Sequence, residues 1–415
     1  MSGKLLVIGY WIFRKLSSKN ILLIFFLIAG FHSSAQDSLY FMAKAYLSYG
    51  QYDSAYYFIN DAIKKDNNNI HYWQLKGDIL FAQKHWDGAI NSYLIVKKNK
   101  PNLVNYQLAR SYAQTSNFEE AKKYLGTYLN QRNRIESYKV KLDTCFRKFS
   151  ETKLWENLWM KDFDNSYQDF LKQIEYNIRY EHYEEALEQI DNYLANHSKK
   201  FYLYYLKGNI LLIMKDKTSA LAAYEKAYRI KSKNREIANA YGQLLFTLKK
   251  YKKARTIFVQ LNNYDKYDIL PLRDIGKCDV GLRKNKRAQE ELLSFVKFYF
   301  KDPKANFYLA KAYFAQKEYF NALEAINISV REKPHNFDYL FIRGEIYLES
   351  QAYKLAKKDF LLAMDISTKN AGELYFLIGI CYQHMGDPGM ACTYWKRAYE
   401  HQYMEADDYR MKFCQ

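Results

Sequence analysis

Pro303-Lys304-Ala305-Asn306-Phe307-Tyr308-Leu309-Ala310-Lys311-Ala312-Tyr313-Phe314-Ala315-Gln316 is followed by Lys317-Glu318. The chain then runs Tyr319-Phe320-Asn321-Ala322-Leu323-Glu324-Ala325-Ile326 and on to Pro334. Leu309, Ala310 and Tyr313 share one face of a helix, and Tyr319, Ala322 and Ile326 share one face of a second. A link of about two residues forces the two helices antiparallel. The small residues Ala310 and Ala322 let their axes close to roughly 8–10 Å. Pro334 ends the second helix, because its ring cannot continue the hydrogen-bond ladder.

The unit recurs. Residues matching Ala322 stand at Ala55, Ala89, Ala121, Ala186, Ala220, Ala254, Ala288, Ala356 and Ala391, and from Ala186 to Ala356 every step is 34 residues. Twelve residues before each comes a second column: Ala43, Gly77, Ala109, Gly208, Gly242, Gly276, Ala310, Gly344 and Gly379, broken only by Ile174. A period of 34 with two small-residue columns in phase resembles the tetratricopeptide repeat. That family's aromatic in the first helix stands at Tyr46, Tyr112, Tyr313, Tyr347 and Tyr382. The aromatic opening the second helix stands at Tyr52, Trp86, Phe118, Tyr183, Tyr251, Tyr319 and Tyr353, and the closing proline at Pro101 and Pro334. The resemblance covers about residues 36–405, with two departures, the 65-residue gap from Ala121 to Ala186 and the weak first helix before Tyr183.

The resemblance implies an all-α fold: a right-handed α-α superhelical solenoid of about ten tetratricopeptide helix pairs with a C-terminal capping helix. It divides the chain into three repeats over 36–130, a degenerate repeat or helical spacer over 131–166, seven repeats over 167–403 and a cap over 404–415. Such arrays grow by stacking, so length alone does not demand separate domains.

Residues 1–20 carry Lys4, Arg14, Lys15 and Lys19 and no acid; Ile21 to Phe31 is apolar, and His32-Ser33-Ser34-Ala35-Gln36 follows. This order reads as a signal peptide over 1–35, cut after Ala35. It predicts export to the periplasm or cell envelope of a Gram-negative bacterium. The apolar residues 5–13 keep an uncleaved membrane anchor open as the alternative.

Net charge is +18, falling to +14 if the four basic residues of the leader are removed. Such a surface favours acidic partners or an anionic membrane. The 41 Tyr and 26 Phe fall mainly on repeat columns, so they read as packing residues rather than as a nucleic-acid platform. No nucleic-acid partner, metal or cofactor is expected. The His are scattered, no phosphate loop is present, and no two of the five Cys are spaced as Cys-x-x-Cys. No catalytic constellation stands out, so the chain reads as a non-enzyme. Cys392, on the last second helix, and Cys414, on the cap, are candidates for a disulfide, which an exported protein permits.

In the family, the first helices line a groove that grips a partner peptide or protein. Positions three before, one after and four after the small residue point inward. Here they give Tyr205 and Asn209; Asn239, Gln243 and Phe246; Arg273 and Lys277; Phe307, Lys311 and Phe314; Phe341 and Glu345; and, in the N-terminal block, Tyr40, Lys44, Gln74, Asp78, Phe81, Tyr106 and Arg110. Aromatics and Arg favour interface hot spots. The Arg273–Lys277 pair suits a carboxylate, so the expected function is a protein–protein scaffold or adaptor. A carbohydrate- or peptidoglycan-binding module is the alternative.

Overall fold

The computed structural model describes residues 38–414 apart from 132, 133, 136, 162, 164, 165 and 369; the expected leader over 1–35 lies outside the described residues. The described residues are helical and contain no strand. They form two compact units, Met1–Tyr180 and Glu181–Gln415. The boundary falls at 180/181, so the helix Ser166–Arg179, expected to open the second block, belongs to the first unit.

The first unit contains three helix pairs: 38–48 with Tyr52–Lys65, Ile70–Ala82 with Trp86–Asn99, and Asn105–Gln114 with Phe118–Leu129. The second contains six: Phe201–Ile213 with Lys217–Ile230, Arg235–Thr247 with Tyr251–Tyr264, Leu270–Gly281 with Asn285–Val296, Pro303–Ala315 with Tyr319–Glu332, Phe337–Glu349 with Tyr353–Ile366, and Ala371–His384 with Pro388–Glu400. Tyr183–Asn196 precedes these pairs and Glu405–Phe413 follows them.

Local chemistry sets the helix ends. Asn234, Asp302 and Asn336 each accept a bond from a backbone N–H in the first turn they cap. Pro388 and Pro303 open their helices, where a missing N–H costs nothing. The link inside a pair is three residues, such as Gln316, Lys317 and Glu318, rather than about two. Lys317 takes φ 63°, and Glu318 N donates to Tyr313 O at 3.0 Å. That bond closes the last turn of the first helix and reverses the chain. Among the described residues the same left-handed position is filled by Lys84, Ser116, Glu181, Lys215, Lys249, Arg283 and Gln351, and by glycine only at Gly50 and Gly386.

Packing inside each pair follows a third column, sixteen residues after the small residue. A Cβ on Gly77 would lie 2.4 Å from the Tyr93 ring; the same clash recurs for Gly208 with Tyr224 at 2.4 Å, Gly242 with Phe258 at 2.6 Å, Gly344 with Phe360 at 2.5 Å and Gly379 with Trp395 at 2.4 Å. Where the small residue is Ala43, Ala109 or Ala310, the residue sixteen on is Ile59, Leu125 or Ile326, and all are fully buried. Glycine therefore accompanies an aromatic partner and alanine an aliphatic one, with Gly276 against Leu292 the exception. Joint volume is held, as close packing requires.

The segment expected to be a degenerate repeat or spacer contains the short helices Ser137–Lys141, Arg147–Ser150 and Lys153–Trp159. Val140, Phe146, Phe149 and Leu158 are buried in the core of the preceding pairs. Phe149 stacks on Phe118 at 5.5 Å, whereas Leu142 points to solvent.

At the other end, the helix Glu405–Phe413 buries Ala406 and sets Tyr409 against Phe376 and Trp395, at 4.9 and 5.2 Å. Cys392 and Cys414 are joined as a disulfide with their Cα atoms 5.6 Å apart. Cys278 and Cys381 are buried thiols.

Candidate partner-binding face

The first helices of the second unit lie side by side: Leu270–Gly281 packs on Pro303–Ala315, which packs on Phe337–Glu349. Of the residues that stand just after each small residue, Lys277 reaches its counterpart Gln243 on the neighbouring first helix. These residues form a ladder of Asn209, Gln243, Lys277, Lys311 and Glu345, at a spacing of 34. Tyr224 OH donates to Asn209 Oδ1 at 2.6 Å. Lys277 Nζ donates to Gln243 Oε1 at 2.8 Å and sits 3.9 Å above the Phe246 ring and 5.8 Å from that of Tyr308. Burial pushes the Lys277 ammonium below its usual pKa, with Asp274 opposing and Lys304 and Arg273 adding to the fall.

Arg273 is placed differently from the sequence expectation. Its guanidinium pairs with Asp274 and Asp302, both at 3.2 Å, and Asp274 also accepts from Gln243 at 2.7 Å. Its charge is already neutralised, so it is not a free carboxylate binder alongside Lys277. Asp274 lies one residue away and Asp302 caps the next first helix. A reading by column alone passes over both.

The aromatic candidates are half-buried, and Phe307 and Tyr205 link neighbouring pairs while Phe341 and Phe314 pack within their own. Phe307 lies 5.0 Å from Tyr339, and Lys311 Nζ sits 5.5 Å over its ring. Phe341 stacks on Phe337 at 5.7 Å, and Phe314 lies 6.1 Å from Tyr319. Tyr205 OH donates to Glu236 at 2.9 Å. Asn239 is exposed. Three residues of this face were missed by sequence: Tyr308, Lys304 and Glu373. Burial pushes the Glu345 carboxyl up to about 7, with Glu373 and Glu349 adding to the rise and Lys311 opposing it.

The equivalent residues of the first unit are Lys44, Asp78 and Arg110. Tyr93 OH donates to Asp78 at 2.7 Å, the same contact that Tyr224 makes with Asn209. Burial pushes Asp78 up to about 6 against the Tyr93 hydroxyl, Arg110 and Lys44. Arg110 pairs with Asp143 at 3.0 Å, lies 4.6 Å over Phe81 and donates to Cys145 Sγ. Tyr106 OH donates to Asp143 at 2.7 Å, and Gln114 to Cys145 O at 2.7 Å. Segment 143–149 thus covers the last first helix of this unit. No group of three or more His, Cys, Asp or Glu suited to a metal occurs among the described residues.

Stacked helix pairs with a ladder of side chains along their first helices define an α-helical repeat protein. Tetratricopeptide-repeat family models match residues 104–131, 178–235 and 309–371, and the model for anaphase-promoting complex, cyclosome, subunit 3 matches 24–96. The chain is a tetratricopeptide-repeat protein. It is 27% identical over 229 residues to BBSome complex member BBS4 of Bos taurus, covering 52% of this chain and 41% of that one. It is 25% identical over 395 residues to a TPR repeat-containing protein of Methanocaldococcus jannaschii, covering 80% and 64%. The chain therefore spans less than two thirds of the length of either curated relative. A tetratricopeptide repeat protein from Parabacteroides merdae superposes with a TM-score of 0.48 at 17% identity, over 58% of this chain and 97% of that one; yeast Tom70 does so at 0.38 and 13%, over 90% and 95%.

Proposed function

We propose that this protein is a non-catalytic scaffold or adaptor of the cell envelope that grips a segment of a partner protein along the first helices of its second unit. The observation carrying this reading is that Phe246, Phe307, Phe314 and Phe341 stand half-buried, with Lys277 over Phe246 and Lys311 over Phe307. Half-exposed aromatics beside cations are the composition of interface hot spots. A complex member, BBS4, among the relatives agrees with a binding role. Export rests on the basic and apolar leader, and the Cys392–Cys414 bond suits an oxidising compartment. Among the described residues no helix is long and apolar enough to cross a membrane, so membrane contact falls to the N-terminal segment or the basic surface.

The test is a crosslinking pull-down from cell envelopes with the parent chain and with a Lys277→Glu, Phe307→Ala variant. Recovery of one protein by the parent and its loss with the variant supports the reading. Identical recovery with both contradicts it. Arg273 is left intact, because reversing it would set three carboxylates together and disturb the fold.

Carbohydrate binding has one observation in its favour. An open cleft of about 670 Å³ in the first unit is lined by Tyr56, Trp73 and Trp86 together with Asp87 and Asn91. Lys76 lies 5.5 Å over Tyr56 and 5.2 Å over Trp73, so a sugar ring would have to displace it.

A further inference from the structure

The second unit treats its charges in two ways. Fully buried Asp279 is held between Arg255 and Arg287, and Arg343 binds Asp359 through two bonds, at 2.6 and 2.8 Å. Arg235 pairs with Asp268 at 2.9 Å, and Arg273 with Asp274 and Asp302. Every one of these arginines meets a carboxylate. On the ladder the pattern reverses: among the described residues half-buried Lys277, Lys311 and Glu345, and Glu373 beside the last, form no ion pair. Lys277 uses one of its three donors, on a neutral amide. Glu373 accepts from Asn370.

Half-buried charges held in no ion pair are costly to a fold, and here Asp274 acts on Lys277, and Lys311 on Glu345, without closing a contact. Their order along the ladder is also not mixed. Neutral Asn209 and Gln243 come first, then Lys277 with Lys304 and Lys311, then Glu345 with Glu349 and Glu373. Opposite charges segregated along one face fix register and direction of whatever lies on it.

We infer that the first-helix face of the second unit holds one partner segment in a single direction, with an acidic side chain of the segment on Lys277 and Lys311 and a basic one on Glu345 and Glu373. This rests on the partner-binding reading above and narrows it. The occupant is a polypeptide segment carrying both charges, not a uniformly acidic one. Lys277 and Glu345 are two first-helix spacings apart, roughly 18 Å at about 9 Å each. An extended segment covers that in about six residues at ~3.3 Å per residue. Phe307 and Phe341 flank the path and supply apolar contact between the two charges.

The test is selection of randomised twelve-residue displayed peptides on the purified full chain and on a Lys277→Glu, Glu345→Lys variant. The parent should enrich peptides with an acid and a base about six residues apart in one order. The variant should enrich the opposite order, and each peptide class should bind the other protein at least roughly tenfold more weakly. If the exchanged variant unfolds by circular dichroism, Lys277→Gln and Glu345→Gln replace it. The first should drop the requirement for the peptide's acid alone, and the second the requirement for its base alone. The same charge order on both proteins, or pools without charge order, overturns the inference and leaves the scaffold reading standing. Absence of any enriched peptide also overturns the inference, and if the pull-down recovers no partner either, the scaffold reading falls with it.

Discussion

The two units carry the same ladder position and use it oppositely. In the first, the ladder runs Lys44, Asp78, Arg110, and Asp143 of the irregular segment takes up the last cation. Charge alternates, each group acts on its neighbour, and residues 143–149 lie across the face. In the second, the ladder runs from amides to lysines to a glutamate, and among the described residues its charged groups close no ion pair. Inside the helix pairs the units are alike: Tyr93 meets Asp78 as Tyr224 meets Asn209. The difference lies in charge order along the face, not in the repeat. One face is completed by its own chain, and the other is the one proposed to take a partner.

The largest expected effect lies in the first unit. Arg110→Ala removes the cation that joins Phe81, Asp143 and Cys145, and should cost about 1.5–3 kcal/mol in urea unfolding, the range for hydrogen bonds to charged groups. A cost near zero would mean that the irregular segment is held by its buried side chains and the Tyr106 and Gln114 bonds without help from Arg110. Next come Gly77→Ala and Gly344→Ala, one in each unit. Each drives a Cβ into a ring, Tyr93 or Phe360, and each should cost about 1–3 kcal/mol by overpacking. Adding Phe360→Ile to Gly344→Ala should restore part of the loss, since Ala310 with Ile326 is a combination the chain already uses. Equal costs in the two units would confine their difference to the faces.

Asp78→Asn sharpens the comparison through pH. The folded Asp78 carboxyl titrates at about 6, above its ordinary value of 3.8, so the folded state holds that proton more tightly than the unfolded chain. Stability therefore falls as pH climbs from about 4 through 6 and then levels. The variant, which carries the amide found at Asn209, should lose that slope and gain about 2 kcal/mol over the parent at pH 7.5, with no gain at pH 4. Thermal melts across pH read this directly. The smallest effect on folding is expected at Lys277→Gln, within about 1 kcal/mol, because losing its bond to Gln243 and its seat over Phe246 is offset by removing a half-buried charge. Partner recovery, by contrast, should collapse.

The repeat was legible because two columns accept only small residues, so Ala and Gly recur there whatever surrounds them. The third column escaped notice because Ile59, Tyr93, Leu125, Phe258 and Trp395 share no residue type. What persists is the joint volume with the small residue, which appears only when the pair is seen together. The segment 137–159 was hard to read because its helices are too short to show a period. Its core residues Val140, Phe146 and Phe149 are set by what they cover. On the candidate face the ladder positions were legible from spacing, but their charge state was not. Arg273 looked available because its partners Asp274 and Asp302 fall outside the ladder register. Glu373 was passed over because it lies in the first turn of its helix, six residues before Gly379.

The most direct test of the central claim places a photoreactive phenylalanine analogue at Phe307 in the second unit or at Tyr106 in the first, in otherwise intact chains, and irradiates them in cell envelopes. The account predicts a crosslinked partner from position 307 and none from position 106, where Asp143 and the irregular segment already occupy the face. A partner captured at 106 and absent at 307 would contradict it.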